Sequence, residues 1–203
     1  VQVNSEIGLT FANVLRSILR QDPDIIMIGE IRDDETATIA VRASVTGHLV
    51  LSTLHTNNSL NTIERLLDMD VERYLLAASL SGIISQKLAK KLCPHCRKKI
   101  VATQYEKYIF KKNLGVDINE IYVAGDGCTN CMNGYRGRIA IHEVLLIDEN
   151  IRDAISNNVK KDDFRKLVYG ENIYTLLQDG LIKVAQGLTT FEEIIRLIEL
   201  DVE

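Results

Sequence analysis

The sequence predicts an α/β protein in which parallel strands alternate with helices. Two apolar runs, 25–28 and 47–57, are too short for buried helices and end in polar residues, which is typical of strands buried in a parallel sheet. Between them, 33–46 carries Ala and Val at helical spacing. A strand, a helix and a second strand in this order form a right-handed crossover, which places the two strands side by side.

Polar side chains follow both predicted strands. Glu30 and Asp33 come after the first strand, and His55 comes at the end of the second. Ligands of open α/β sheets bind outside the carboxyl ends of the strands, so these residues lie where a ligand would bind. A carboxylate and an imidazole at this edge can polarise a water and sense a phosphate. The acids can equally well cap the helix that begins near Asp34.

The rest of the chain is predicted to be mostly helical. Thr10 caps a helix whose apolar stripe covers 11–19, and Asn57 or Asn58 caps the next helix. Leucines and isoleucines at helical spacing predict one long helix from about Glu72 to Leu92. Further helices are predicted over 105–114, 150–158, 161–169, 173–186 and after Thr189 or Thr190, and a strand over 139–146.

Four cysteines form two C-x-x-C pairs, Cys93 with Cys96 and Cys128 with Cys131. Each pair makes a tight turn that directs two thiolates at one point, and two such turns complete a tetrahedron with Zn–S distances of about 2.3 Å. Sulfur fills all four positions, so the predicted zinc is structural rather than catalytic. The spacer 97–127 is longer than that of a common zinc ribbon and has room for a small helix.

The composition narrows the function classes. With 203 residues, 46% of them apolar and 26% charged, the chain has room for one sizeable domain or two small ones. A net charge of −4 disfavours nucleic acid as the main partner. No apolar run approaches eighteen residues and no signal peptide is visible. Paired cysteines without a secretion signal indicate a metal in a reducing compartment rather than disulfides.

Several segments resemble the secretion ATPases, the family that powers type II secretion and type IV pilus assembly. IIMIGEIRD resembles the Walker B segment of that family, and TGHLVLSTLHTN resembles its histidine box. The opening GLTFANVLRSILRQDPD also matches, and the paired cysteines with GYRGRIAIHEVL match the assembly branch. The resemblance implies a partial RecA-like P-loop NTPase core at 1–92, a zinc-binding lobe at 93–138, and a strand with a C-terminal helical subdomain at 139–203.

The same resemblance implies roles for individual residues. Glu30 is similar to the Walker B glutamate, which positions magnesium or the attacking water. His55 is similar to the histidine-box residue near the γ-phosphate. Gly29, Arg32 and His48, the first histidine of the box, correspond to cofactor-binding positions.

One expected element is missing from the sequence. No G-x-x-x-x-G-K-[ST] segment, the loop whose N–H groups hold phosphates, occurs in it. By resemblance that loop lies N-terminal to Val1, so the chain is expected to be the C-terminal part of a homo-hexameric ATPase that uses ATP and Mg²⁺. The resemblance also implies a cytoplasmic protein, peripheral to the inner membrane, that acts on the platform protein of a pilus or secretion system. Alone, the chain is expected to bind nucleotide weakly and not to hydrolyse it.

A run of basic residues leaves two interpretations of the partner surface open. Cations near a helix C-terminus complement its dipole, which accounts for part of the set. All six cations together also suit a surface that binds the platform protein or anionic lipid. The alternative function class is a zinc-ribbon module that binds nucleic acid or an anionic membrane surface. The cations are Lys87, Lys90, Lys91, Arg97, Lys98 and Lys99.

Overall fold

The computed structural model describes residues 3–170 and 173–199, and the chain divides into two compact units. The first unit comprises 1–83 and 145–171, and the second comprises 84–144 and 172–203. This division differs from the predicted domains at 1–92, 93–138 and 139–203, which remain a prediction. The physical reason is that two long strands, near residues 82–92 and 135–146, each continue from one unit into the other.

The first unit contains the predicted strand, helix and strand. Strands β1 (Ile25–Ile28) and β2 (Leu49–Ser52) pair in parallel, with Ile25 opposite Leu49 and Ile28 opposite Ser52. Helix α2 (Asp34–Val45) connects them, and helix α1 (Phe11–Ile18) packs against α2. The α/β class is therefore confirmed, and so is the parallel pairing.

Among the residues that the structure describes, nothing covers one face of this sheet, so the prediction of strands buried on both faces is wrong for this chain. Ile26 and Ile28 are buried, whereas Ile25 and Met27 expose 62% and 76% of their surface. Successive side chains of a strand point to opposite faces. Because of the parallel register, the exposed residues of both strands share one side. We call Ile25, Met27, Leu49 and Leu51 the bare sheet face.

The first unit contains further helices, one of which packs directly on α2. Asn58 caps α3 (Ser59–Asp68) by accepting a hydrogen bond from the N–H of Asn61, as one of the predicted alternatives has it. Helix α4 (Arg73–Ser79) packs on both α2 and helix α6 (Glu149–Ser156). Helix α6 in turn packs on helix α7 (Lys161–Tyr169).

The long helix predicted from Glu72 to Leu92 is wrong. Helix α4 ends at Ser79, and strand β3 (Gly82–Leu92) follows it. In this strand Ile83 and Ala89 are buried, while Ile84 and Leu88 are exposed. The apolar residues fit helical spacing and strand alternation about equally well, and pairing with the distant strand β6 (Tyr135–Leu146) decides between them.

In the described residues of the second unit, two small sheets and three helices surround a core of their own. Strand β3 pairs with β6, and β4 (Lys98–Val101) pairs antiparallel with β5 (Glu120–Val123). The predicted insert is helix α5 (Gln104–Leu114), and a Thr103–Glu106 capping box begins it. The core residues exposed by no more than 1% are Ala89, Phe110, Ile121, Ile141, Leu181, Val184 and Ile194. The C-terminal helices are α8 (Leu176–Ala185) and α9 (Phe191–Glu199).

The start of α9 shows how the second unit holds β3. The Thr190 hydroxyl accepts a hydrogen bond from the N–H of Glu193, so Thr190 is the predicted cap. The buried Glu193 carboxylate accepts from the N–H of Lys90, and the Thr189 hydroxyl donates to the carbonyl of Lys90.

None of the helices in the described residues has the length and apolarity that a membrane crossing needs.

Candidate functional site

The polar residues at the carboxyl ends of β1 and β2 come into contact. Glu30 follows β1 and His55 follows β2, and Glu30 Oε2 lies 3.3 Å from His55 Nε2. The parallel, in-register pairing of the strands brings these positions to one edge of the sheet. The arrangement places a carboxylate and an imidazole where ligands of α/β sheets bind. The catalytic roles of the two residues stay a prediction.

Arg32 is the second partner of the Glu30 carboxylate. Its Nη2 lies 2.5 Å from Glu30 Oε1, so each carboxylate oxygen has a cationic or potentially cationic neighbour. The hydrogen bond from Arg32 lowers the pKa of Glu30, and the charge of Arg32 and the contact with His55 add to this, although desolvation opposes it. The Glu30 side chain is 22% exposed and His55 is 87% exposed. An ionised Glu30 can therefore accept hydrogen bonds from a water or from a metal-bound water.

The backbone around Glu30 is tied to β2 through Thr53, a residue that the sequence reasoning missed. The Thr53 hydroxyl donates to the carbonyl of Gly29 at 2.7 Å, and the N–H of Ile31 donates to the carbonyl of Thr53 at 3.0 Å. The available signal was the position of Thr53 directly after the second strand, two positions before the histidine-box residue His55.

Asp33 caps a helix, which was the alternative interpretation of the acids. Its Oδ1 accepts from the N–H of Thr36 at 2.7 Å, and its Oδ2 accepts from the Thr36 hydroxyl at 3.0 Å. Both oxygens are thus engaged at the start of α2, and an acidic cap also suits the positive end of the helix dipole. Of the two acids after β1, Glu30 is the one that faces the ligand edge.

The structure does not bring His48 to this site. His48 directly precedes β2, whereas His55 follows its carboxyl end. The Nδ1 atom of His48 lies 3.0 Å from the carbonyl oxygen of Ala43 and 3.2 Å from the Thr46 hydroxyl. Gly29 and Arg32, by contrast, lie next to Glu30. The cofactor-binding role of His48 stays a prediction that the geometry of this chain does not favour.

The four cysteines form a second candidate site, suited to a metal. Their sulfur atoms all lie within 4.8 Å of one another. Cys93 Sγ is 3.8 Å from Cys128 Sγ, and Cys96 Sγ is 3.6 Å from Cys131 Sγ. A regular tetrahedron with metal–sulfur distances of about 2.3 Å has sulfur–sulfur edges of about 3.8 Å. The group can therefore hold a metal with little movement of the side chains.

Glycines allow the two cysteine loops to approach each other. A Cβ at Gly125 would lie 1.9 Å from the carbonyl oxygen of Cys96, so a side chain there would force the loops apart. Gly134 adopts a φ of 81°, which favours glycine, and its carbonyl accepts from the N–H of Cys93 at 2.8 Å. The backbone thus holds the cysteine pairs together from both sides.

The thiols differ in how readily they ionise. Burial raises the pKa of Cys96 to about 12, and the neighbouring Cys131 thiol adds to this. Burial also opposes ionisation of Cys131, but the N–H of Cys128, 3.3 Å from its sulfur, and contacts with Cys96 lower its pKa to about 7. Without a cation, four close thiolates would repel each other. A bound metal removes this penalty because it replaces the protons.

The basic residues of the second unit are mostly engaged within the protein. Lys98 pairs with Asp126 and Lys99 with Glu120, in both cases at 2.6 Å. Lys87 Nζ donates to the Leu197 carbonyl at 2.7 Å. Arg97 donates to the Gly187 carbonyl at 2.5 Å and lies over the Tyr122 ring. Lys90 lies over the Tyr135 ring. These contacts reduce the positive surface that the sequence predicts for a partner.

Tyr135, in the GYRGR segment, braces the second unit. Its hydroxyl lies 3.3 Å from that of Thr190, and Lys90 Nζ lies 5.6 Å from the centre of its ring. The ring is therefore engaged by neighbouring residues of the same unit. This arrangement favours a structural role for the segment over stacking on a nucleic-acid base.

Comparison with known proteins identifies the family. The chain matches the family model described as Type II/IV secretion system protein over residues 1–196. It is similar to type II secretion system protein E of Dickeya dadantii, with 47% identity over 197 residues that cover 97% of this chain and 39% of that protein. It is also similar to the type IV pilus assembly ATPase PilB of Thermus thermophilus, with 46% identity over 204 residues that cover 98% of this chain and 22% of that protein.

A solved structure shares the fold. The pilus retraction motor PilT with bound ADP superposes with a TM-score of 0.65 at 31% identity, over 93% of this chain and 43% of that one. The chain spans 39–41% of the length of the first curated relatives that it matches. On this evidence, the chain belongs to the type II/IV secretion system protein family.

Proposed function

We propose that this chain is the C-terminal portion of a hexameric ATPase that couples ATP hydrolysis to assembly of a type IV pilus or a type II secretion pseudopilus. The observation that carries the proposal is the contact between Glu30 and His55 at the ends of two parallel strands. It occurs in a chain whose similar proteins include a pilus assembly ATPase and a pilus motor with bound ADP. The family membership and the site geometry thus support the same chemistry.

Each residue of the site has a role in this proposal. Glu30, kept ionised by Arg32, accepts a hydrogen bond from the attacking water or from a water of the magnesium shell. His55 contacts the γ-phosphate region and is linked to Glu30 by their hydrogen bond. Gly29 and Arg32 line the same edge of the sheet. Magnesium, when bound, neutralises charge on the phosphates.

The cysteine group holds a structural zinc in this proposal. Its four sulfur ligands leave no position open for a substrate, which supports a structural role. The platform protein at the inner membrane is the proposed partner, and the protein would be cytoplasmic and peripheral to that membrane. The zinc-ribbon module for nucleic acid or anionic lipid is the weaker alternative, because contacts within the second unit engage most of its cations.

The 203-residue chain alone is expected to bind ATP weakly, with no saturation below about 1 mM, and to show no ATPase activity. ATP affinity in these folds comes largely from a glycine-rich loop of N–H donors and its lysine, and the sequence contains no such motif. Isothermal titration calorimetry with magnesium and ATP measures this. Circular dichroism on the same sample controls for folding, and micromolar binding by a folded chain would place the nucleotide site elsewhere.

A further inference from the structure

We propose that Thr53 is a positioning residue that fixes Glu30 for ATP hydrolysis, an inference that rests on the function proposed above. Thr53 bonds to the residues on both sides of Glu30. Its hydroxyl donates to the carbonyl of Gly29 at 2.7 Å, and its own carbonyl accepts from the N–H of Ile31 at 3.0 Å. One residue directly after the second strand thus holds the backbone before and after the proposed catalytic carboxylate.

The position of these bonds explains why they matter. The regular pairing of β1 and β2 runs from Ile25 opposite Leu49 to Ile28 opposite Ser52. Glu30 lies beyond the last pair, where the sheet itself no longer fixes the chain. The two bonds of Thr53 carry the connection between the strands past Glu30.

Gly29 is the residue beside Glu30 with the greatest backbone freedom, and the Thr53 hydroxyl restrains it. Glycine has the widest choice of backbone conformations, and a Cβ built at Gly29 would meet nothing within 4 Å. Gly29 is also exposed, so no side chain of its own restricts the peptide that leads into Glu30. The hydrogen bond to its carbonyl supplies that restriction, while the buried Ile31 anchors the other side.

Thr53 also links the two proposed catalytic residues. It precedes His55 by one residue, Leu54, so the segment that fixes the Glu30 backbone also carries the imidazole that contacts the Glu30 carboxylate. Small errors in the position of a catalytic group have large effects on rate. Loss of the Thr53 hydroxyl should therefore act on the chemical step more than on nucleotide binding.

The test uses the full-length ATPase that carries this chain. Thr53→Val keeps the branched shape but removes the donor, and Thr53→Ser keeps the donor. One neutral hydrogen bond corresponds to about a tenfold change in an equilibrium, so we expect kcat of Thr53→Val to fall about tenfold while KM for ATP stays within about twofold. Thr53→Ser should retain most of the activity. Ser52→Ala is the matched control, because within the described part of the chain the Ser52 hydroxyl makes only a long, 3.5 Å contact with the Thr53 carbonyl.

A double substitution separates positioning from a general structural role. If Thr53 acts through Glu30, Thr53→Val should slow the enzyme little further once Glu30→Gln is present. Equal slowing in both backgrounds would overturn the inference, and so would a Thr53→Ser enzyme as slow as Thr53→Val. Thr53 lies at the protein surface, so we expect melting temperatures close to that of the unsubstituted protein.

The same series distinguishes this inference from the proposed function. A slow Glu30→Gln enzyme together with a normal Thr53→Val enzyme would overturn the role of Thr53 alone. A normal rate in Glu30→Gln would remove the proposed catalytic role of Glu30 and, with it, the positioning role of Thr53. A low kcat in both single variants, with non-additive effects, is the result that supports both.

Discussion

Removing the metal from the four cysteines is expected to unfold the loops that carry them, the largest effect anticipated for this chain. Structural zinc sites couple binding to folding, with apparent free energies of about 10 kcal/mol or more. The sulfur–sulfur distances of 3.6 and 3.8 Å suit such a site, and close thiolates need a cation. Purified protein should contain one zinc per chain, and chelation should expose the amides around Cys93 and Cys128 to hydrogen exchange.

Elemental analysis and hydrogen exchange measure this result, and the first cysteine turn supplies a matched control. Cys96→Ser should lose the metal and the protection of the loops. His95→Ser should keep both, because His95 is exposed and lies outside the sulfur cluster. Protein prepared without chelators that contains far less than one metal per chain would contradict the assignment. Loops that stay protected after the metal is removed would show that the metal does not stabilise them.

Replacing Glu30 by Gln is expected to lower ATP hydrolysis by the full-length enzyme by about two to three powers of ten, which is the usual cost of losing one group that stabilises the transition state. The amide keeps the size of the side chain and one acceptor. It removes the charge that Arg32 now holds in place and that would orient the water or the magnesium shell. ATP affinity should change little, because Glu30 does not supply the donors that bind phosphates.

Steady-state ATPase rates and nucleotide titrations of the same variant separate the two effects. Glu35→Gln is a suitable control, since Glu35 is an exposed acid of the neighbouring helix α2 that pairs with Arg16. Exposed ion pairs contribute little, so its rate should stay close to normal. A near-normal rate in Glu30→Gln would reduce Glu30 to an ion-pair partner of Arg32. His55→Ala should also slow turnover, by a smaller factor.

The first half of the fold follows from the sequence because its signals are local. The run Ile25–Ile28 is bounded by a proline and a glycine, and Asp33 caps α2 within its own segment. The same locality brings Glu30 and His55 to one edge, since parallel register alone puts the ends of adjacent strands together. The cysteine group follows from spacing in the same way, because each C-x-x-C turn is a local structure.

The features that the sequence did not predict correctly depend on partners that are distant along the chain. Residues of β3 satisfy a helical stripe and a strand alternation, and only the pairing with β6 selects the strand. The position of Thr53 after the second strand does not reveal its role, because its partner Gly29 lies far away in the sequence. In the sequence, Lys98 and Lys99 belong to a run of basic residues without nearby acids. The acids that pair with them, Asp126 and Glu120, follow α5 in the chain. Charge counted along the chain is therefore a poor guide to charge on the surface.

The bare sheet face has a consequence for the chain in solution. Parallel sheets are normally covered on both sides, and strand edges without a partner are templates for pairing with other chains. In the described residues the sheet has only β1 and β2, and Met27 at its centre exposes 76% of its surface. Salts that are excluded from protein surfaces strengthen apolar association. We therefore expect association through the bare sheet face to lower the solubility of this chain as protein or sulfate concentration rises. This loss should occur under conditions in which the helices of the first unit are still folded.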